Sequence, residues 1–227
     1  MLKTHVLLLG ALSFGATAAE GAEPFPEARI FIEYNFSGND LGFHVFLDAE
    51  DWEEVKILHP NGRQIMEIEG EGGFGDLGLT ELFFEGAEPN LADVPLNVLL
   101  GLFPEGRYTF KGEQVDGVRL LSRPRLSHAV PAAPEVDAEV GDDTVTISWT
   151  TVSTPPPGFP RRRIGVVAYQ VIVGSFQVTV PASDDPEMSL TLPPEFVASL
   201  EPGEHDFEVL AIEKSGNQTI TEGSFEL

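Results

Sequence analysis

Apolar and polar residues alternate along the second half of the chain. Val145, Ile147 and Trp149 fall on one phase of the alternation, and Thr146 and Ser148 fall on the other. The same period of two recurs at residues 169–173, 176–180, 190–192 and 207–211. Such a period places the apolar side chains of a strand on one face. Short runs rich in Gly, Asp, Pro and Asn separate the segments, so the pattern predicts several short strands packed as two facing sheets.

The first half of the chain has a similar but less regular alternation. It predicts strands at residues 29–34, 42–47, 54–59 and 64–69. Between the last two, Pro60-Asn61-Gly62 indicates a hairpin, because Asn-Gly readily adopts the positive φ that tight turns require. The first half is therefore also predicted to consist mainly of strands.

A short helix is predicted later in the first half. Apolar residues follow helical spacing from Leu96 to Phe103. Asp93 precedes them and is a candidate cap for the helix N-terminus, and Pro104 is expected to end the element.

Several motifs in the second half resemble fibronectin type III domains. Trp149 ends one strand, Tyr169-Gln170-Val171 opens another, and Leu200-Glu201-Pro202-Gly203 precedes Phe207-Glu208-Val209. The resemblance covers essentially all of residues 134–227 and implies a sandwich of two facing sheets. Members of that family usually place a tyrosine shortly after the Leu-x-Pro turn, where its hydroxyl bonds to the backbone. His205 occupies that place here, in a turn one residue shorter, so the resemblance leaves this hydrogen bond open.

The first half shows a more limited resemblance. The segments Val55-Lys56-Ile57, Gly62-Arg63 and Phe103-Pro104-Glu105-Gly106-Arg107-Tyr108 are similar to immunoglobulin-like domains of bacterial flagellar hook-capping proteins. The half as a whole resembles uncharacterised secreted bacterial proteins that pair such a region with a fibronectin domain, and that family implies no established activity.

The predicted fold class is mostly β, with two β-sandwich-like domains. The N-terminal domain is expected to be immunoglobulin-like with a short helix, and the C-terminal domain to be fibronectin type III-like. The predicted boundaries are a signal peptide at 1–19, a β-rich domain at 20–130, a linker at 131–134 and the second domain at 135–227. The linker, Pro131-Ala132-Ala133-Pro134, is stiffened by its two prolines.

The first 19 residues predict export. Lys3 supplies a positive start, residues 6–14 form a short apolar stretch, and Ala16-Thr17-Ala18 offers small residues for cleavage. A buried N-terminal helix is the alternative. The apolar stretch is too short to span a membrane. The expected location is therefore the periplasm or the extracellular space.

The charge of the chain limits its partners. With 37 acidic and 13 basic residues the formal charge is −24. Such a field opposes contact with nucleic acid or anionic lipid, and it favours solubility or, alternatively, the binding of divalent cations. The chain has no cysteine, which excludes disulfides and thiolate chemistry.

Residues for catalysis are not evident in the sequence. It contains no nucleophile-elbow, zinc-helix or phosphate-loop motif, and no histidine lies near another. Glu81 and Glu85 would share one face if their segment were helical. Paired carboxylates cleave glycosides only when they flank a cleft, so we expect these two to face solvent or pair with an arginine. No catalytic residue is assigned.

The densest acidic cluster is a candidate metal site. Asp48, Glu50 and Asp51, followed by Glu53 and Glu54, provide the oxygen ligands that calcium prefers. Their spacing is not that of an EF-hand loop, and a solvated loop at a strand end is the simpler interpretation. Calcium is the one cofactor that the sequence suggests.

The segment Thr154–Arg163 is the candidate binding loop. It contains four prolines, together with Phe159, Arg161, Arg162 and Arg163. Loops on rigid scaffolds often carry binding, and proline lowers the entropy lost on docking. The alternative is that the arginines pair with the protein's own acidic surface.

These features predict an exported, non-enzymatic module that contacts protein or glycan at a cell surface. The alternatives are a calcium-stabilised structural surface protein and, less favoured, a glycoside hydrolase that uses carboxylates. The oligomeric state is left open.

Overall fold

The computed structural model describes residues 21–227, so the predicted signal peptide lies outside the described residues. In the first half the elements are β1 (Ala22–Glu23), β2 (Glu27–Asn35), β3 (Asp40–Leu58), β4 (Gln64–Glu69), α1 (Gly73–Leu77), β5 (Leu79–Glu85), α2 (Leu96–Leu102), β6 (Gly106–Arg107), β7 (Thr109–Gln114), β8 (Arg119–Ser122) and β9 (Arg125–Leu126). In the second half they are β10 (Val136–Val140), β11 (Val145–Thr150), β12 (Val166–Val173), β13 (Phe176–Pro181), β14 (Glu187–Thr191), α3 (Pro194–Val197), β15 (Glu204–Glu213) and β16 (Gln218–Glu226).

The second half is a sandwich of two antiparallel layers. One layer has the order β10-β11-β14, and the other has the order β16-β15-β12-β13. The alternating apolar residues of both layers form one buried cluster, in which Trp149, Tyr169 and Phe207 meet. The rings of Trp149 and Tyr169 lie 5.7 Å apart. The predicted fibronectin type III-like sandwich is confirmed.

His205 makes a backbone hydrogen bond at the turn before β15. Its Nε2 lies 2.7 Å from the carbonyl oxygen of Glu201, so this nitrogen carries the proton. The ring stacks on Phe225 with 5.5 Å between centroids. The hydrogen bond that the resemblance left open is therefore present, with histidine in the place of tyrosine.

The first half is organised by one long strand, β3. The N-terminal part of β3 pairs with β2 and β5, and its C-terminal part pairs with β4 and β7. The register shifts between Asp48 and Trp52, where Asp51 has a φ of 25°. The sequence predicts two strands here, and the structure joins them into one strand with a bulge. Both parts of β3 contribute side chains to a single core, with Leu41 and Phe43 from one part and Val55 and Ile57 from the other.

The predicted hairpin and helix are both confirmed, with differences in detail. Leu58 pairs with Gln64 across the Asn-Gly turn, and Gly62 has a φ of 86°. Helix α2 covers the predicted apolar residues, but Asp93 does not cap it. Pro95 occupies the cap position, without a side-chain hydrogen bond.

The segment with Glu81 and Glu85 is strand β5, not a helix. The two glutamates still share a face, because residues four apart in a strand point the same way. Asp48 lies opposite Glu81, and His44 lies opposite Glu85.

The two halves share one sheet. Strand β16 pairs in parallel with β2, with Gln218 opposite Glu33 and Ile220 opposite Asn35. The larger sheet therefore runs through both halves and contains 11 strands. The segment predicted as a linker is also held, because the amide of Ala132 donates to the carbonyl oxygen of Thr154 at 2.8 Å. The two cores are separate clusters, and the domain boundaries stay a prediction.

The side chain of Asn217 forms hydrogen bonds across the junction, which is the contact between the two halves where β16 pairs with β2. This side chain is fully buried, and its Oδ1 accepts a hydrogen bond of 2.8 Å from the amide of Ile32. Its Nδ2 donates to the carbonyl oxygens of Ser127 and Ala129. The next residue, Gln218, begins the pairing with β2, so the side chain of Asn217 extends the strand contact by one residue.

Within residues 21–227, none of the helices has the length and apolar character needed to cross a membrane.

Candidate functional site

The candidate binding loop, Thr154–Arg163, lies between β11 and β12. Phe159 fixes the centre of this loop. The ring of Phe159 is buried and lies 4.8 Å from the ring of Tyr34 on β2. It belongs to the core of the first half although the loop belongs to the second. Gly158, with a φ of 84°, supplies the backbone conformation that turns the chain just before this ring. The loop is therefore attached across the junction.

Arg162 forms a second attachment, to Glu105. Its Nη2 lies 2.7 Å from Oε2 and its Nε lies 3.2 Å from Oε1 of that carboxylate, which is a two-point contact. Glu105 also accepts a hydrogen bond of 2.8 Å from the amide of His128. The hydrogen bond from Arg162 lowers the pKa of Glu105 to about 2, against an opposing effect of partial burial.

Arg161 and Arg163 have a different environment. Both side chains are exposed, and in the part of the chain that the structure describes neither forms an ion pair. Of the four residues predicted to bind a partner, Phe159 and Arg162 thus hold the loop in place, while Arg161 and Arg163 face solvent. A binding role for the loop stays a prediction.

The predicted acidic cluster lies at the bulge of β3. Asp48 and Glu50 are exposed, and Asp51 is half-buried. The backbone here is well bonded, since the carbonyl oxygen of Glu50 accepts from Gln114 and that of Asp51 accepts from Val115. Across residues 21–227, the carboxylates of Asp48, Glu50 and Asp51 do not form a converging group of three potential metal ligands. A calcium site here stays a prediction.

A different group does converge, on the outer face of the shared sheet. Nε2 of His44 lies 3.4 Å from Oε1 of Glu88 and 3.7 Å from Oε1 of Glu33. One donor atom from each residue lies within 4.8 Å of the others. Only 3% of the His44 side chain is exposed, and the rings of Phe31 and Phe83 lie 5.1 and 5.8 Å from the imidazole.

The surroundings of the group are acidic. Partial burial raises the pKa of Glu88 above its ordinary value, the hydrogen bond with His44 opposes this, and the charges of Glu85 and Glu33 raise it further. Gln218 of β16 donates to Oε2 of Glu33, which leaves Oε1 facing the imidazole.

Sequence reasoning missed this group because its members come from three elements. No histidine lies near another in the sequence, so His44 is not marked there as a ligand. Strand alternation places Glu33 and His44 on the phase opposite to the core residues of β2 and β3. Their proximity depends on the register between β2 and β3, and Glu88 reaches them from the connection after β5. No local motif encodes that arrangement.

Comparison with known proteins gives only distant likenesses. No family profile matches the chain, and no curated protein matches it. Three similar solved structures are a 1.5-MDa bacterial ice-binding adhesin described for host cell surface retention, the fibronectin(III)-like modules of Clostridium thermocellum CbhA, and a Ca2+-stabilised adhesin of an Antarctic bacterium. Their identities to this chain are 15%, 13% and 13%, and the TM-scores are 0.30, 0.30 and 0.29.

The coverage of these structures differs. The alignments include 88%, 88% and 91% of this chain in the same order. They include 63% of the first adhesin structure, 88% of the CbhA structure and 49% of the second adhesin structure. The chain thus spans less than two thirds of either adhesin structure. TM-scores this low carry no argument about function, and the fold rests on the strand arrangement itself.

Proposed function

We propose that the protein is an exported, non-enzymatic contact module that binds protein or glycan at a cell surface through the loop between β11 and β12. One observation supports this most directly. Arg161 and Arg163 are exposed on a loop that Phe159 and Arg162 attach to the other half of the molecule.

The attachment matters because it reduces the cost of binding. A free loop loses conformational entropy when a partner orders it, whereas a loop already held in place loses less. Here a buried aromatic ring and a two-point ion pair flank Arg161, and Arg163 follows directly. Both guanidinium groups are therefore presented from a restrained backbone.

The charge of the loop indicates the chemistry of the partner. The chain as a whole carries a formal charge of −24. The exposed Arg161 and Arg163 are therefore a local positive region on an acidic protein. Guanidinium groups bind carboxylates and sulfates through paired hydrogen bonds. The proposed partner is an anionic polysaccharide or an acidic protein segment that meets the molecule at this end.

The test compares three proteins for retardation in native gels that contain a polymer. They are the wild type, the double variant Arg161→Ala/Arg163→Ala, and the control Arg63→Ala/Arg125→Ala, which removes two exposed arginines elsewhere. The polymers are alginate for an anionic glycan, poly-glutamate for an acidic polypeptide, and dextran as a neutral reference. A salt concentration of roughly 150 mM shortens the screening length to about 8 Å and so limits long-range repulsion.

The wild type and the control should be retarded by at least one anionic polymer and not by dextran. The loop variant should bind more weakly, by about tenfold for each arginine that contacts an anion. Equal retardation of the loop variant and the control, or no retardation of any protein, would contradict the proposal. The choice between alginate and poly-glutamate separates a glycan partner from a protein partner.

A further inference from the structure

We propose that Glu33, His44 and Glu88 form a binding site for a divalent transition-metal ion, with Zn2+ as the representative ion. The ion would cross-link β2, β3 and the connection that follows β5. This site is separate from the loop and does not depend on the proposed contact function.

The spacing of the donor atoms fits such an ion. Zinc binds imidazole nitrogen and carboxylate oxygen at about 2.0–2.2 Å, which places the donors of a tetrahedral site about 3.3–3.6 Å apart. The two distances from Nε2 of His44 are 3.4 and 3.7 Å. The third side of the triangle, between the glutamate oxygens, is at most 4.8 Å. The side chain of Glu88 is 29% exposed, so its carboxylate has room to rotate towards Glu33.

The backbone of β3 makes room for Glu88. A Cβ atom at Gly42 would lie 2.4 Å from Oε1 of Glu88 and 2.8 Å from its Cγ. Glycine at this position therefore lets the side chain of Glu88 lie flat over β3 and reach His44. Gly42 is also the residue of β3 that pairs with Glu33 of β2, and His44 lies two residues further along β3. All three ligands therefore lie close to Gly42.

His44 and Glu33 are held in orientations suited to a ligand. The imidazole is buried between Phe31 and Phe83, which restrict its rotation. Gln218 bonds to Oε2 of Glu33, and such second contacts orient ligating carboxylates in metal sites. Three protein ligands leave a fourth position that water can fill.

The ligand types select the class of metal. Calcium and magnesium prefer oxygen ligands, whereas imidazole suits zinc, copper, iron and nickel. Two carboxylates face one imidazole here, with Glu85 near Glu88, so a divalent cation would offset their repulsion. Because Glu33 is also bonded to Gln218 of β16, an ion here would tighten the junction of the two halves.

The experiment titrates metal-free protein with ZnCl2, CoCl2 and CaCl2. The variant Glu33→Gln/Glu88→Gln removes two ligands with little change in shape, and the control Asp48→Asn/Glu50→Gln removes the same charge from the acidic cluster. The readouts are calorimetric stoichiometry, the melting temperature, and the visible absorption of Co2+, which is intense only in sites of low coordination number. Circular dichroism of the metal-free proteins establishes that each variant is folded.

The wild type and the control should bind one Zn2+ and melt about 5–10 °C higher at a hundredfold excess over the dissociation constant. The ligand variant should lose both effects and the Co2+ absorption, and Ca2+ should produce none of them. A Zn2+ response of the ligand variant equal to that of the control would overturn the proposal. So would a wild type that responds equally to Zn2+ and Ca2+, or that binds neither.

A second variant keeps the test decisive if the ligand variant fails to fold. Gly42→Ala retains every ligand but displaces the side chain of Glu88. It should weaken Zn2+ binding by at least tenfold, while Gly73→Ala, a glycine with open space around it, should not. Unchanged Zn2+ affinity in Gly42→Ala would show that Glu88 is not a ligand and would overturn the proposed site.

Discussion

The imidazole of His205 lies at the turn that leads into β15, where its Nε2 donates to the carbonyl oxygen of Glu201 at 2.7 Å. The ring also stacks on Phe225, which packs in the core of the second half. A single side chain thus links the surface turn to the core. The turn is one residue shorter than the tyrosine-bearing turn of fibronectin type III domains, and the histidine side chain spans it to reach the Glu201 carbonyl oxygen.

His205→Phe separates the hydrogen bond from the stacking. Phenylalanine retains an aromatic ring against Phe225 but donates nothing to Glu201. Because this hydrogen bond is partly exposed to water, we expect the free energy of unfolding to fall by about 1 kcal/mol. Urea unfolding measures the difference. His205→Gln keeps a donor and should lose less, so equal losses in the two variants would show that the hydrogen bond does not stabilise the turn.

At the scale of elements, the loop between β11 and β12 depends on the charge of Glu105. The hydrogen bond from Arg162 lowers the pKa of Glu105 from about 4.5 to about 2 in the folded protein. A carboxyl group whose pKa is lower in the folded than in the unfolded protein stabilises the fold at pH values above its unfolded pKa. This stabilisation is lost as the pH falls towards its folded pKa. We therefore expect the advantage of the wild type over Glu105→Gln to be full above pH 5 and to disappear between about pH 5 and pH 2.

Denaturant unfolding at several pH values measures this advantage. The advantage of the wild type over Arg162→Gln should disappear over the same pH range, because this variant removes the same contact. Glu139→Gln, at an exposed position of β10, serves as the control for the loss of one negative charge. A pH-independent difference between the wild type and Glu105→Gln would contradict the assignment of the pKa shift to Arg162.

The elements also show how far the sequence predicts this fold. Alternation predicts the strands of both halves, because burial on one face imposes a period of two. It does not predict that β3 continues through the acidic residues 48–54. In the sequence these residues indicate a solvated loop, and pairing with β2, β5, β7 and β4 holds them as a strand. Gly78 permits the bulge, since a Cβ there would lie 2.6 Å from the backbone of Asp51.

The candidate sites are predicted less well, for a related reason. The prolines and arginines of the loop distinguish it in the sequence, but the burial of Phe159 depends on Tyr34, which lies in the other half. Glu33, His44 and Glu88 meet through strand register and a connection of irregular backbone. Long-range pairing of this kind leaves no local pattern that a single sequence can display.

At the scale of the whole molecule, the central feature is the sheet that crosses between the halves. Each half has its own buried cluster, so each has the means to unfold separately. Against this, β16 pairs with β2, and Asn217 bonds to Ile32, Ser127 and Ala129. Thr219 adds a hydrogen bond to the carbonyl oxygen of Pro131 at 2.5 Å. These contacts predict that the halves unfold together.

Asn217→Ala tests this coupling. The substitution leaves the amide of Ile32 and the carbonyl oxygen of Ala129 buried without their partner, and each such group costs about 1–3 kcal/mol. The loss falls on the junction and not on either core. In calorimetry the wild type should unfold in one transition, whereas Asn217→Ala should unfold in two.

The control for this experiment is Asn61→Ala, which removes an exposed amide that bonds only within its own hairpin turn. It should unfold in one transition at nearly the wild-type temperature. If Asn217→Ala instead shifts a single transition to lower temperature, the halves are coupled mainly by the β16–β2 backbone pairing. If the wild type already shows two transitions, the shared sheet does not make the molecule one cooperative unit, because the separate cores then dominate its stability.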